Sequence, residues 1–280
     1  MGAIIVREEF PRGDSAALIG PAVGGALHVA SFNVRGPRDA APHGWPDRRE
    51  LVRRLWVREW PTVLSTQEAM FHQARDLKAM MDGYDMIHLS RLGGGGDEST
   101  AIVFDARRLT PLDYAHLWLS DTPTAMGSAT WGNDIPRMLT WARFADRLSG
   151  KEFVVLNTHL DHVSVPAQDK AAHLLRRVVA DLDVPAIVTG DFNVPPDATV
   201  HKTLVADGPL ADAWDAAATR LSPPYATFHA WEPEPRLGDR IDWILTTPGV
   251  SVTSIGVNTW SHGGLTPSDH WPLQALMELG

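Results

Sequence analysis

Two periodicities run along the chain. Leu51, Val52, Leu55, Trp56 and Trp60 recur at helical spacing, which predicts an amphipathic helix over 47–60 ended by Pro61. A second helix is predicted over 69–81, stopping near Gly83. A third, over 166–182, places Ala167, Ala171, Leu174, Leu175, Val178, Val179 and Leu182 on one face, with Pro166 in the first turn. Shorter apolar runs predict strands at 26–33, 62–65, 84–89, 99–104, 109–119, 137–144, 152–159, 185–189, 241–246 and 250–259, and a last one through Met277. The four consecutive glycines from Gly93 to Gly96 lack a following Lys-Ser/Thr and the G-x-G-x-x-G spacing, so they predict a tight hairpin or loop rather than a phosphate cradle.

No repeat or linker interrupts this pattern. We expect residues 1–24 to form an N-terminal extension, with Ala3-Ile4-Ile5-Val6 as an edge-strand candidate, and residues 25–280 to form one domain. Helices flanking strand runs in both halves predict two sheets packed face to face with helices outside, an α/β fold. Leu18 to Ala30 is apolar but is broken by Pro21, Gly24 and Gly25, holds His28 and follows Asp14, so it fails as a signal segment. No run approaches the ~18 apolar residues of a membrane span. A cytoplasmic monomer is the expectation.

Composition narrows the chemistry. The 280 residues include no cysteine, which excludes disulfides, thiolate metal sites and cysteine nucleophiles. The net charge is −9, and only four of the 25 Lys and Arg are lysines. Duplex nucleic acid is therefore not expected as a partner, since that affinity comes from neutralised phosphates. Eleven tryptophans suit sheet and core packing better than a stacking platform.

Polar residues stand where apolar strands stop. Asn33 follows Val29-Ala30-Ser31-Phe32, and Glu68 follows Val63-Leu64-Ser65. Asn157 and His159 end a third run, and Asp191 and Asn193 a fourth. Asp242 lies within Ile241-Asp242-Trp243-Ile244, and Asp269 and His270 precede Trp271. Asp and Asn often end strands singly, but if these strands share a sheet end their side chains converge on one acidic, His-containing cleft. Oxygen donors without thiolate suit Mg²⁺ or Mn²⁺. Such a cation, a His and an Asp suffice for in-line phosphoryl transfer, which needs mainly positioning and charge neutralisation.

These residues occur within an ordered set of segments: Ser31-Phe32-Asn33, Gln67-Glu68, Leu117-Trp118-Leu119-Ser120-Asp121-Thr122-Pro123, Asn157-Thr158-His159-Leu160, Gly190-Asp191-Phe192-Asn193, Arg240-Ile241-Asp242-Trp243 and Ser268-Asp269-His270. The set resembles the endonuclease/exonuclease/phosphatase superfamily with the DNase I-like fold, nearest its bacterial phosphoesterase and deadenylase-like branches. The resemblance runs from about residue 26 to the end. It implies a four-layer α/β/β/α sandwich of two mixed sheets, with the active site at one end of the paired sheets.

By that resemblance Glu68 is the principal metal carboxylate, with Asn33 and Asp269 beside it. His159 contacts the scissile phosphate, Asp191 orients or deprotonates the attacking water, and Asn193 binds phosphate next to it. His270 is the catalytic histidine supported by Asp242. Arg137, Trp131 and Asn157 are expected near substrate, with the 121–136 loop as one cleft wall. Apurinic endonucleases place an Asp two positions after the first Asn, where this chain has Arg35. His162 is expected to make a structural hydrogen bond. His28, His72, His88, His116, His173 and His201 are read as surface or satisfied core residues.

The expected activity is Mg²⁺- or Mn²⁺-dependent hydrolysis of a small or terminal phosphomonoester or phosphodiester. The alternatives are a single-strand-preferring nuclease and, on the same fold, an inactive binding module. No G-x-S-x-G or H-E-x-x-H motif offers another hydrolase. The Gly-Asn of a calcineurin-like phosphoesterase is followed here by Asp134 instead of His.

Overall fold

The computed structural model describes residues 16–280, so the Ala3–Val6 edge-strand candidate lies outside the described residues. In chain order the elements are β1 (Leu27–Asn33), α1 (Trp45–Glu59), β2 (Val63–Gln67), α2 (Phe71–Met80), β3 (Tyr84–Ile87), β4 (Ile102–Asp105), β5 (Leu109–Trp118), β6 (Met138–Asp146) and β7 (Glu152–His159). There follow α3 (Val165–Ala180), β8 (Ala186–Asp191), α4 (Thr199–His201) with a π-helical turn at Lys202–Ala206, β9 (Ala211–Asp212), α5 (Ala213–Ala216), β10 (Thr219–Arg220), β11 (Asp242–Thr246), β12 (Val250–Val257) and β13 (Leu273–Leu279).

The strands form two mixed sheets, in the orders β10-β12-β13-β1-β2-β4-β3 and β5-β6-β7-β8-β11-β9. In each sheet a parallel pair sits near the centre, β1 with β2 and β7 with β8. Parallel neighbours need a crossover helix, and α1 and α3 supply it. Central strands with both faces covered read as continuous apolar runs, and β1 is buried along its whole length.

Three apolar layers follow. Phe104, Phe144, Phe153, Trp271 and Met277 fill the space between the sheets. Phe32, Trp56, Leu64 and Leu77 seat α1 and α2 on the first sheet. Leu156, Leu175, Val188 and Trp243 seat α3 on the second. The result is the four-layer α/β/β/α sandwich expected from the sequence.

Local chemistry explains the helix boundaries. Ser164 caps α3, its hydroxyl accepting from the Ala167 N–H at 3.3 Å, and Pro166 occupies the first turn, where a missing N–H costs nothing. The first helix starts earlier than its periodicity indicates, because Gly44 and Pro46 already form its entry. It ends where Trp60 turns left-handed at φ 47°.

Residues 18–20 are bound to the end of α1. The N–H groups of Leu18, Ile19 and Gly20 donate to the buried Glu59 carboxylate at 2.8, 3.1 and 3.1 Å. The Gly20 carbonyl in turn accepts from His28 Nδ1 at 2.8 Å. No helix among the described residues is long and apolar enough to cross a membrane.

Candidate active site

Strand register builds the centre. His159 at the end of β7 lies beside Asp191 at the end of β8, and Asp242 at the start of β11 pairs with Asp191 from the other side. In the facing sheet, Asn33 ends β1 opposite Gln67, one residue before Glu68. Asn33 Nδ2 joins the sheets by donating to Glu68 Oε1 and Asp191 Oδ2, each at 3.0 Å.

Asp191 Oδ2 is the hub. His159 Nε2 lies 3.6 Å from it and His270 Nε2 3.8 Å. His270 is oriented from behind, its Nδ1–H donating to Asp242 Oδ2 at 2.9 Å. Asn193 is held left-handed at φ 56°, its N–H on Asp191 Oδ1 and its Nδ2 on the Leu160 carbonyl, both at 2.9 Å.

Burial and charge sort the titratable groups. For Asp191, burial followed by the Asp242 charge pushes the pKa up to about 7, against the pull of His270 and the Asn33 amide. Burial works against a charged His270, but Asp242, Asp191 and Asp269 outweigh it and push that pKa up to about 10. Burial, then the charges of Arg137 and His270, holds His159 well below the ordinary value, so it is neutral at pH 7. The centre thus pairs an imidazolium with a carboxylate whose pKa is near neutrality, a combination suited to proton transfer.

Glu68, Asn33 and Asp269 form the oxygen-rich side. Burial opposes ionisation of Glu68, yet the Asn33 amide, the Gly36 N–H (3.0 Å from Oε2) and the charges of His270 and Arg35 hold its pKa below the usual value. Glu68 adopts φ 60° and Arg35 φ 57°, conformations that cost non-glycine residues of order 1–3 kcal/mol and concentrate at functional sites. Burial, and next to it the Glu68 charge, raises the Asp269 pKa. A buried and a half-buried carboxylate that repel one another, in a donor set of oxygens alone, fit a hard divalent cation. The Asn33 side-chain Oδ1 accepts from the Arg35 N–H at 2.9 Å, so here Asn33 bridges carboxylates through its Nδ2. At the position where apurinic endonucleases carry an acid, Arg35 holds Asp39 at 2.8 Å and reaches Asp269 at 3.5 Å.

Arg48 on α1 escaped the sequence reading. It is 1% exposed and donates to the carbonyls of His43, Val34, Arg35, Gly36 and Pro267. It therefore clamps the turn after Asn33 to the segment before Asp269.

The three residues expected at substrate separate. Arg137 and His159 both line an open surface depression, together with Glu68. Arg137 is positioned by Asp161 (3.4 Å from Nε) and His162 (3.0 Å from Nη2), which gives His162 the structural bond expected of it.

Asn157, in contrast, is fully buried between the sheets. It accepts from Gln67 Nε2 at 2.7 Å and donates to the carbonyls of Thr66 and Ala101, so its amide is used up inside the protein. Trp131 is also corrected. It is 6% exposed and packs with Leu119, Leu160 and Ala167 under α3, its indole N–H on Asp121 Oδ1 at 2.7 Å. No ring face is open for stacking, and only the end of the 121–136 loop, at Pro136 and Arg137, reaches the depression. Arg91 and Glu98 also line it and had no sequence signal beyond the glycines between them.

Paired sheets with this Asn, Glu, His and Asp set at one end define a DNase I-like phosphoesterase architecture. The profile of the Endonuclease/Exonuclease/phosphatase family matches residues 30–270, and the chain belongs to that family, whose members hydrolyse phosphoester bonds. It is similar to an endonuclease/exonuclease/phosphatase family protein from Bacteroides thetaiotaomicron: 30% identity, TM-score 0.87, covering 91% of this chain and 98% of that one. It is also similar to a mannosyl-6-phosphatase of the same organism, with 30% identity, TM-score 0.84 and coverage of 90% and 99%. Among curated proteins, an uncharacterized protein of Acanthamoeba polyphaga mimivirus is 29% identical over 160 residues, 53% of this chain and 59% of that protein. The chain matches about half to three-fifths of the length of its curated relatives.

Proposed function

We propose that this chain is an Mg²⁺- or Mn²⁺-dependent hydrolase of small or terminal phosphoesters, with a phosphomonoester as the preferred substrate. The observation that carries the reading is the Asp191 hub, shared by two histidines and bridged by Asn33 to Glu68. Family membership and similarity to a protein named as a mannosyl-6-phosphatase support it.

Each residue has a task. Asp191, with its pKa near neutrality, takes the proton of the attacking water at Oδ2. Asn33 and Asn193 fix the Asp191 carboxylate. The His270 imidazolium donates from Nε2 to a phosphoryl oxygen, while Asp242 fixes its ring at Nδ1. Neutral His159 donates a second hydrogen bond, and Arg137 contributes fixed positive charge at the depression. Glu68 and Asp269 would hold the cation, assisted by Asn33. When bound, the cation supplies Lewis-acid polarisation of the phosphoryl group and charge stabilisation on the leaving oxygen.

The burial of Trp131, which leaves no ring open for base stacking, favours a small substrate over a nucleic-acid strand. A hydrolysis panel tests this, comparing sugar phosphates, mononucleotides and single-stranded RNA and DNA of increasing length at several salt concentrations. Fast turnover of phosphomonoesters, with no gain from strand length, is the expected result. Rates that climb with length and fall steeply with salt would favour the nuclease.

A further inference from the structure

The polyglycine turn has a consequence beyond closing a hairpin. Gly93 and Gly94 adopt φ 86° and 61°, and Ser90 pairs with Ser99 across the hairpin. This register sets Arg91 against Glu98: the Arg91 N–H donates to the Glu98 carbonyl at 2.9 Å, and Arg91 Nη1 reaches Glu98 Oε2 at 2.7 Å. Both side chains line the depression that Glu68 and His159 close. A methyl on Gly36 would lie 3.7 Å from Glu98 Oε1 and 3.8 Å from Glu68 Oε2, so the two carboxylates flank the same backbone.

The other polar groups around the depression serve the phosphate side or the fold. Glu68 and His159 belong to the reacting centre, and Arg137 is tied to Asp161 and His162. The Ser99 hydroxyl donates to the Ala69 carbonyl at 2.6 Å, and the Thr100 hydroxyl bonds that of Thr140 at 2.9 Å. Arg91 and Glu98 remain. Among the described residues the Glu98 carboxylate accepts a hydrogen bond from Arg91, which leaves most of its four lone-pair sites open. Arg91 also holds Asp97 at 3.0 Å, while its buried Nε has no acceptor within the protein.

We infer that Arg91 and Glu98 form a leaving-group subsite for a polyol, so that the substrate class is the phosphate monoester of a sugar or related polyhydroxy compound. This rests on the phosphoesterase reading above. A hydroxyl both donates and accepts, so a polyol can donate to the open lone pairs of Glu98 and accept from guanidinium N–H groups of Arg91, which its 2.7 Å bond to Glu98 holds beside that carboxylate. An aryl or alkyl leaving group covers the ion pair without replacing its lost hydration. A second phosphate is disfavoured, because one Arg faces two carboxylates, Asp97 and Glu98. The pair therefore reads the alcohol, and Arg137, His159 and His270 read the phosphate.

The test compares kcat/KM for mannose 6-phosphate and glucose 6-phosphate with that for phenyl phosphate, in wild type, Glu98→Gln, Arg91→Lys and His270→Ala. Thermal melts confirm folding. Wild type should prefer the hexose phosphates. Glu98→Gln should lower the hexose-to-phenyl ratio at least tenfold, mostly through KM, and Arg91→Lys, the second variant should the first misfold, should lower it in the same direction. His270→Ala should reduce both rates and leave the ratio in place. Wild type inactive on every ester with either metal overturns the phosphoesterase reading and the subsite with it. Wild type active on phenyl phosphate without hexose preference, or a ratio unmoved by both hairpin variants, overturns the subsite alone.

Discussion

Asp242→Asn isolates the support behind His270. The substitution keeps the size of a fully buried side chain and removes its charge. In the native protein burial opposes the imidazolium, but Asp242, Asp191 and Asp269 push the His270 pKa from 6.5 to about 10. At 1.36 kcal/mol per unit, that net preference for the charged form is about 5 kcal/mol. Asp242 is the foremost of the three charges raising it and the only one within hydrogen-bonding distance, at 2.9 Å. Removing its charge should cost roughly 2–3 kcal/mol, a fall in kcat of about 30- to 160-fold.

The pH dependence has a defined sign. On the proposed mechanism His270 acts as the protonated form, so its raised pKa should keep the wild type competent up to about pH 10. In Asp242→Asn the pKa drops, and the high-pH limb of kcat should move toward neutrality. The assay is a pH profile of kcat and KM at saturating metal, with a melt to confirm folding. A folded variant with wild-type kcat and an unmoved alkaline limb would refute the pairing as a source of catalytic power.

Arg137→Ala should raise KM and lower kcat with no dependence on salt or substrate length, because Arg137 lines the depression as a fixed cation; a steady-state salt series checks this. Trp131→Leu keeps apolar volume under α3 but loses the ring, so it should destabilise by about 2 kcal/mol in urea unfolding and leave KM within about twofold. A marked rise in KM would restore Trp131 as a substrate contact. His28 is buried, and burial lowers its pKa to about 4 against the Glu59 charge. Between pH 6.5 and 4 the unfolded chain therefore binds more protons than the folded one. Stability should fall across that window by about 3 kcal/mol as pH is lowered, and be flat with respect to this residue above it. Urea melts against pH, with His28→Gln for comparison, read the effect.

The candidate centre was legible because its residues end strands, and strand ends announce themselves locally. Asn33, His159, Asp191 and Asp242 each follow or open an apolar run, and strand pairing, parallel for β1–β2 and β7–β8 and antiparallel for β8–β11, carries them to one edge of the sandwich. What failed depended on contacts across the chain. The Asn157 side chain occupies the same strand end as His159, but it faces Gln67 in the other sheet. Nothing along the sequence distinguishes that direction from one into the cleft. Trp131 sits in a polar, glycine-containing loop, yet a loop that doubles back against α3 can bury its aromatic. Arg48 looked like one charge among many on α1, and its value comes from carbonyls on two distant segments. The short elements between residues 199 and 220 span too few residues for any period to show.

The measurement closest to the central claim is phosphate release from a phosphomonoester by metal-stripped protein, titrated with Mg²⁺ and then Mn²⁺, beside Glu68→Gln. Stripped wild type should be inactive and recover with saturable dependence on the cation. Glu68→Gln should fold normally and need far more metal for a much lower rate. Full turnover by wild type in excess chelator, or a metal titration that Glu68→Gln leaves unchanged, would contradict the account.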